Sequence, residues 1–227
     1  MSSLPFFFTP VVNDWGETTY QPTTAGFTAM ILIMVAVFLA GVALFGKQRK
    51  SSTKQLTFSA LAIALATVTS MIKLIHMPMG GSVTLLSMLF IVLVGYWYGL
   101  GAGLTAAFTY GVLQMVIDPY ILTIPQALVD YIFAFTALGL SGLFSKQKHG
   151  LLKGYIVAVL ARYFFAFLSG WIFFGAYAAD YGFKSGVIYS LAYNGAYLGA
   201  EAAITIVVIL IPVVAHALAQ VKKMAVE

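Results

Sequence analysis

Three ionisable residues stand deep inside apolar stretches of this chain, where charge is costly. Asp130 lies about ten residues into one such stretch, Arg162 about eight residues into the next, and Glu201 about halfway along the last. A charged side chain at the centre of a bilayer costs roughly 2.5–3.5 kcal/mol on insertion scales, so each needs a partner or a task. Arg162 paired with Asp130 or with Glu201 would lock helices together. Asp130 has a second option in its neighbours. Tyr120, Gln126 and Tyr131 surround it in sequence, Gly170, Trp171, Phe173 and Phe174 close the next stretch, and Tyr189, Ser190, Tyr193 and Asn194 open the last. One carboxylate, a few amides and several ring faces suit a flat, cationic or amino-bearing heterocycle. The acid accepts from an exocyclic amine, and the rings stack or make cation–π contacts. Each Tyr or Trp taken singly also fits an interfacial belt, as Tyr96, Trp97 and Tyr98 do at a helix end.

Catalytic patterns are missing. No Gly-rich loop ends in Gly-Lys-Ser/Thr, and neither His-Glu-x-x-His nor Gly-x-Ser-x-Gly occurs. His76, His149 and His216 are far apart, and cysteine is absent, which removes thiolate metal sites and disulfides. No enzyme activity, metal or cofactor is expected. The net charge of +5 resides in loops at apolar boundaries, a pattern of membrane topology and not of nucleic-acid binding.

The elements that must position these residues are membrane helices. The 227 residues are 61% hydrophobic and 8% charged, against roughly 25% charged in soluble domains. Seven apolar segments are expected as helices: 25–46, 56–75, 83–99, 101–118, 121–144, 154–177 and 186–217. Each is about long enough to span a bilayer, and none shows the alternation of a barrel strand. Pro212 is expected to kink the last or mark its exit. Lys47, Arg49, Lys50 and Lys54 follow the first segment, Lys146, Lys148 and Lys153 the fifth, and Lys222 and Lys223 the seventh. These basic loops share one side, which is expected to be cytoplasmic, with the N-terminus outside. The division is an outer leader (1–24) without a signal-peptide pattern, an extra helix (25–46), a basic linker (47–55), a six-helix core (56–217) and a cytoplasmic tail (218–227). In the first core helix, Ala60 with Ala64, and Ala62 with Ala66, form two small-residue stripes that admit close helix approach.

Several blocks resemble a known family. They are Gln126-Ala-Leu-Val-Asp130-Tyr131 running on through Ala134-Phe135 to Leu138-Gly-Leu-Ser-Gly142-Leu-Phe144, then Arg162-Tyr163-Phe-Phe-Ala166-Phe-Leu-Ser-Gly170 with Phe173-Phe174-Gly175, and Tyr189-Ser190-Leu191-Ala192-Tyr193-Asn194. Upstream lies Met77-Pro78-Met79-Gly80-Gly81-Ser82. Order and spacing over about 55–217 resemble the thiamine-specific S components, the substrate-binding membrane subunits of energy-coupling factor (ECF) vitamin transporters. The resemblance implies that Asp130 hydrogen-bonds an aminopyrimidine, that Tyr131, Tyr189, Asn194, Tyr120 and Gly170 line the pocket, that Phe174 flanks the thiazolium, and that Arg162 fills a basic position. It makes Gly80, Gly81 and Ser82 an outward lid. It makes Ala60 and Ala64 the docking stripe for a transmembrane coupling subunit that works with two cytoplasmic ATPases. The chain departs from the family at Ala166, where a histidine is common beside the ligand, and in a lid without the tryptophan of some members. One face of the ligand sandwich is therefore expected to be weaker or supplied elsewhere.

The function expected is thiamine binding for uptake across a prokaryotic cell membrane. An S component for another heterocycle, such as the pyrimidine precursor of thiamine, is an alternative, and a stand-alone proton-coupled carrier using Asp130, Arg162 and Glu201 as a relay is another. Trp171 is expected near the pocket, as a fluorescent reporter.

Overall fold

A computed structural model describes residues 4–12, 18–26, 28–29, 32 and 51–227. The extra helix expected over 25–46 and the first part of the 47–55 linker fall almost wholly outside the described residues. Near the N-terminus a short turn α1 (Leu4–Phe7) leads into an antiparallel pair, β1 (Phe8–Val12) and β2 (Thr18–Pro22).

The rest is built on helices. Ser52 caps α2 (Thr53–Ser70) by accepting from the Gln55 N–H, so the last residues of the expected linker form a first helical turn. The helix stops at Ser70, short of the expected 75. The Thr69 and Ser70 hydroxyls turn back onto Leu65 and Thr67 carbonyls, local bonds that compete with further helix. The apolar residues beyond belong to β3 (Lys73–His76), which pairs antiparallel with β4 (Ser82–Thr84). This hairpin was not expected from hydropathy, because a short apolar strand and a helix end look alike in composition. Its tip, Pro78–Gly80, carries left-handed backbone at Met79 and Gly80, with φ of 60° and 88°. The glycine accommodates this at no steric cost.

Helix α3 (Ser87–Tyr98) is the most buried element, with Met88, Ile91, Val92 and Val94 fully enclosed. Gly99, at φ 90°, turns the chain into α4 (Leu100–Ile117). Next, α5 (Ile124–Phe144) starts as α-helix, widens into a π-helical turn over Leu128–Phe133 and tightens to 3-10 geometry over Ala137–Phe144. Then come α6 (Gly150–Phe174), extended by a turn at Gly175–Ala178, and α7 (Gly186–Leu210). The chain straightens at Ile211, and Pro212 opens α8 (Pro212–Val226), so the expected break at Pro212 is present. Residues 218–227, expected as a tail, are mostly the second half of α8. That helix packs on α2, α3 and α7, and Lys222 Nζ donates to the Ser145 carbonyl (2.9 Å) while lying 3.6 Å from the Tyr96 ring centroid.

Among the described residues, four helices are long and apolar enough to cross a membrane: α4, α5, α6 with its extension, and α7. Shorter α3 is enclosed by them. Glycines bring α3, α4 and α5 into backbone contact. A Cβ on Gly139 would stand 2.4 Å from the Leu104 nitrogen. Without a hydrophobic drive between helices in lipid, such close packing is a principal cohesive force. Gly139→Val is therefore expected to destabilise the bundle by about 2–3 kcal/mol or more, read as a lower midpoint in denaturant unfolding from mixed micelles, and an unchanged midpoint would contradict this packing.

Candidate binding site

One end of the bundle holds a cavity of about 140 Å³, roofed by the β3–β4 hairpin. Helices α5, α6 and α7 supply its walls, and the loop between α4 and α5 its rim. The eight pocket residues expected from the sequence all line it: Asp130 and Tyr131 from α5, Arg162, Gly170 and Phe174 from α6, Tyr189 and Asn194 from α7, and Tyr120 from the rim. Gly80, Gly81 and Ser82 line it from the roof. Ala60 and Ala64 are elsewhere. They are exposed on the outer face of α2, while Ala62 and Ala66 are buried against the bundle. The two stripes, indistinguishable in sequence, thus face opposite ways.

The π-helical turn brings Asp130 and Tyr131 to the cavity from adjacent positions, and an extra residue per turn is a frequent device at functional sites. Gln126, one turn earlier and 1% exposed, fixes the acid. Its amide nitrogen donates to Asp130 Oδ2 (2.6 Å) and to the Tyr120 carbonyl (3.1 Å), and its amide oxygen accepts from the Leu122 N–H (2.9 Å). The Tyr131 hydroxyl donates to the Asp118 carbonyl (2.8 Å) and accepts from the Tyr120 N–H (2.7 Å). With that hydroxyl committed to the rim, the ring is what Tyr131 offers the cavity. It stacks on Phe135 (6.3 Å between centroids, 16°).

Arg162 corrects an expectation. Its guanidinium carbon lies 4.0 Å from the Phe135 ring centroid, a cation–π contact, in place of the ion pair proposed with Asp130 or Glu201. The ion pair found among the described residues is Lys73 Nζ with Asp118 Oδ2 (2.7 Å), between the hairpin and the end of α4. Glu201 is likewise satisfied without a cation, by hydroxyls and backbone N–H groups of the Thr84–Met88 stretch. The three charges in the bundle therefore do not form a continuous relay.

On the opposite wall, Gly170 lets α6 and α7 meet. A Cβ there would stand 2.3 Å from Ser190 Oγ and 2.7 Å from Asn194 Nδ2. The Asn194 amide donates to the Ser190 carbonyl (3.0 Å) and accepts from the Tyr197 hydroxyl (3.0 Å). Phe174 and Tyr120 face each other at 5.9 Å. Buried Ala166 leaves an apolar gap in the wall between Arg162 and Gly170. Trp171 does not look into the cavity. It is 47% exposed and stacks on Phe167 (6.0 Å, 20°), one position beyond Gly170 in the cavity wall.

The sequence reading missed how the roof is held. Tyr193 donates its hydroxyl proton to the Pro78 carbonyl and accepts from the Gly81 N–H (3.0 Å), and the Tyr189 hydroxyl meets Met79 Sδ (3.1 Å). Tyr189, Tyr193 and Tyr197 are spaced by four, and that stripe was the available signal. The assembled groups form a small chamber with the acid Asp130, a second acid, Asp118, already paired with Lys73, an arginine spread on a ring, and aromatic faces. It can hold a flat amino-bearing cation. Among the described residues no cluster of metal-ligating side chains is present.

Comparison with known proteins places the chain. The pattern of the family described as Thiamine transporter protein (Thia_YuaJ) matches residues 56–221, from early α2 into α8. The Thiamine transporter ThiT of Bacillus subtilis (strain 168) is 37% identical over 157 residues, covering 62% of this chain and 78% of the relative. The Thiamine transporter ThiT of Lacticaseibacillus paracasei is 33% identical over 129 residues, covering 49% and 63%. A solved structure of ThiT from Listeria monocytogenes superposes with a TM-score of 0.64 at 26% identity, covering 75% of this chain and 96% of that one. The chain accordingly belongs to the thiamine transporter family, whose members are all-helical, multi-pass membrane transporters and not enzymes.

Proposed function

We propose that this chain captures thiamine in the roofed cavity and acts as the substrate-binding subunit of an ATP-driven ECF importer in a prokaryotic cell membrane. The observation that carries the reading is the convergence of eight residues from three helices and a loop on one chamber, where the carboxylate of Asp130 is held from behind by Gln126 while that of Asp118 is paired with Lys73. An aminopyrimidine presents an exocyclic amine to such an acid. A thiazolium presents a delocalised cation to rings such as Phe174 and Tyr120. Ligands lacking the amine would leave the carboxylate with the Gln126 amide but without that further donor, and a shortfall of donors is the usual source of specificity at a buried polar group.

The curated relatives named as thiamine transporters support thiamine over its pyrimidine precursor, which would leave the thiazolium side of the chamber empty. Energy would come from outside the chain, since no phosphate-binding loop exists in it. The exposed Ala60–Ala64 stripe supports docking on a transmembrane coupling subunit that carries two cytoplasmic ATPases. The hairpin end would face outward and the end bearing Lys146, Lys148 and α8 would face the cytoplasm, following the basic loops.

Two measurements test this. Calorimetric titration of the purified protein should show thiamine binding well above that of the free aminopyrimidine, and Asp130→Ala should weaken it by about tenfold to a hundredfold, the scale of a hydrogen bond to a charged group. Affinity like that of the unsubstituted protein in Asp130→Ala would remove the carboxylate from the site. Replacing both Ala60 and Ala64 by Leu should leave that binding intact yet abolish most uptake in cells supplying the ATP-driven module. Full uptake by this chain reconstituted alone would instead identify a self-sufficient carrier.

A further inference from the structure

Glu201 is 3% exposed, lies on α7 within the bundle, and has no cation among its partners in the described residues. Its carboxylate receives four hydrogen bonds from a single short stretch. Oε2 accepts from the Thr84 N–H (3.0 Å) and the Thr84 hydroxyl (2.7 Å), and Oε1 accepts from the Ser87 hydroxyl (3.3 Å) and the Met88 N–H (3.3 Å). Thr84 ends β4, and Ser87 and Met88 begin α3. The acid therefore sits at the N-terminus of α3, on the Met88 N–H, where the helix dipole favours negative charge, and grips the point at which the roof hairpin joins the bundle.

The same face of α7 holds the rest of the hairpin. Tyr189, Tyr193, Tyr197 and Glu201 follow at intervals of four, one above another. Tyr189 meets Met79, Tyr193 bonds Pro78 and Gly81, and the two lower tyrosines are in ring contact at 5.8 Å. From Tyr193 to Glu201 is about 12 Å along the axis at 1.5 Å per residue. The hairpin is thus fastened twice to one rigid helix, at its tip by a phenol and at its root by a carboxylate. Thr84, bonded to Glu201, itself lines the cavity.

We infer that Glu201 is a positioning residue of the roof: it fixes the root of the hairpin to α7 and thereby sets how long the chamber stays shut over its ligand. The inference rests on the chamber being the ligand site, and touches no group assigned above to ligand contact. Without the root bonds the hairpin would be held at its tip by Tyr189 and Tyr193 and at its side by the Lys73–Asp118 pair, opening more often without a change in the walls. The consequence falls on escape and not on capture, as is usual when contacts that follow encounter are lost.

The test uses the absence of cysteine. Val83, in β4 and 2% exposed, is replaced as Val83→Cys in the full chain, in lipid nanodiscs, and its labelling by a water-soluble maleimide reports lifting of the hairpin. Adding Glu201→Gln should raise the labelling rate about tenfold, the scale of one charge-assisted bond. Adding Ser87→Ala, which removes one of the four bonds at a residue that does not line the cavity, should raise it less. In chains with the native Val83, radiolabelled thiamine should leave faster by a matching factor while its association rate stays within about twofold. If Glu201→Gln fails to fold, Ser87→Ala decides by the same two readings. Unchanged labelling in the folded variants overturns the inference, as does a loss of affinity carried mainly by slower association. Should the unsubstituted protein bind no thiamine, the proposed function fails, while the labelling rates still decide the role of Glu201.

Discussion

A polar group buried in this bundle has no bulk water to fall back on, so it must find its partner inside the protein. That requirement shapes the end of the molecule where the cavity lies. Helices satisfy their own backbones, but the hairpin and the loop between α4 and α5 do not. The side chains that interrupt the apolar helices are the ones that satisfy them. Gln126 and Tyr131 bond the loop at Asp118, Tyr120 and Leu122, while Tyr193 and Glu201 bond the hairpin at Pro78, Gly81 and Thr84, and Glu201 also bonds the start of α3 at Met88. The chamber exists because non-helical backbone can be held there, and it can be held there because these four side chains reach it.

The rest of the bundle is closed by the opposite means. Where α3, α4 and α5 meet, glycines remove side chains altogether, and Gly95, Gly103, Gly139 and Gly142 let backbone lie on backbone. Gly170 belongs to both regimes. It permits close approach of α6 to α7, yet it does so beside Asn194 and Ser190, at the wall of the cavity.

Much of this was legible beforehand. Hydropathy marked α2 to α7, and Pro212 marked its own break, but α8 beyond it was divided between a helix end and a tail. The amide, acidic and aromatic residues around Asp130, Phe174, Tyr189 and Asn194 suggested one shared chamber, and the place of Arg162 in it came from the family resemblance. Other features were hidden for physical reasons. Composition does not separate Lys73–His76 from a helix end, so the hairpin strands were absorbed into flanking spans. Charge signs alone suggested that Arg162 would pair with an acid, but an arginine can spread over the face of Phe135 and a glutamate can be satisfied by hydroxyl and backbone donors. Both outcomes depend on which residues share a face across helices, and one-dimensional spacing does not contain that. Nor could the sequence tell which alanine stripe of α2 faced outward.

The widened turn at Leu128–Phe133 has an evolutionary corollary. An α-helix with one additional residue accommodated in a single coil is what an insertion leaves behind when the flanking parts keep their packing. Excising that residue would rewind α5 to regular pitch and rotate its first turn by about 100° relative to the remainder. Gln126 would then swing away from Asp118–Leu122, and the acid would lose its brace together with the loop that Tyr131 ties down. A lineage could therefore change the chemistry offered by this wall through point substitutions at Asp130, but not by shortening the helix.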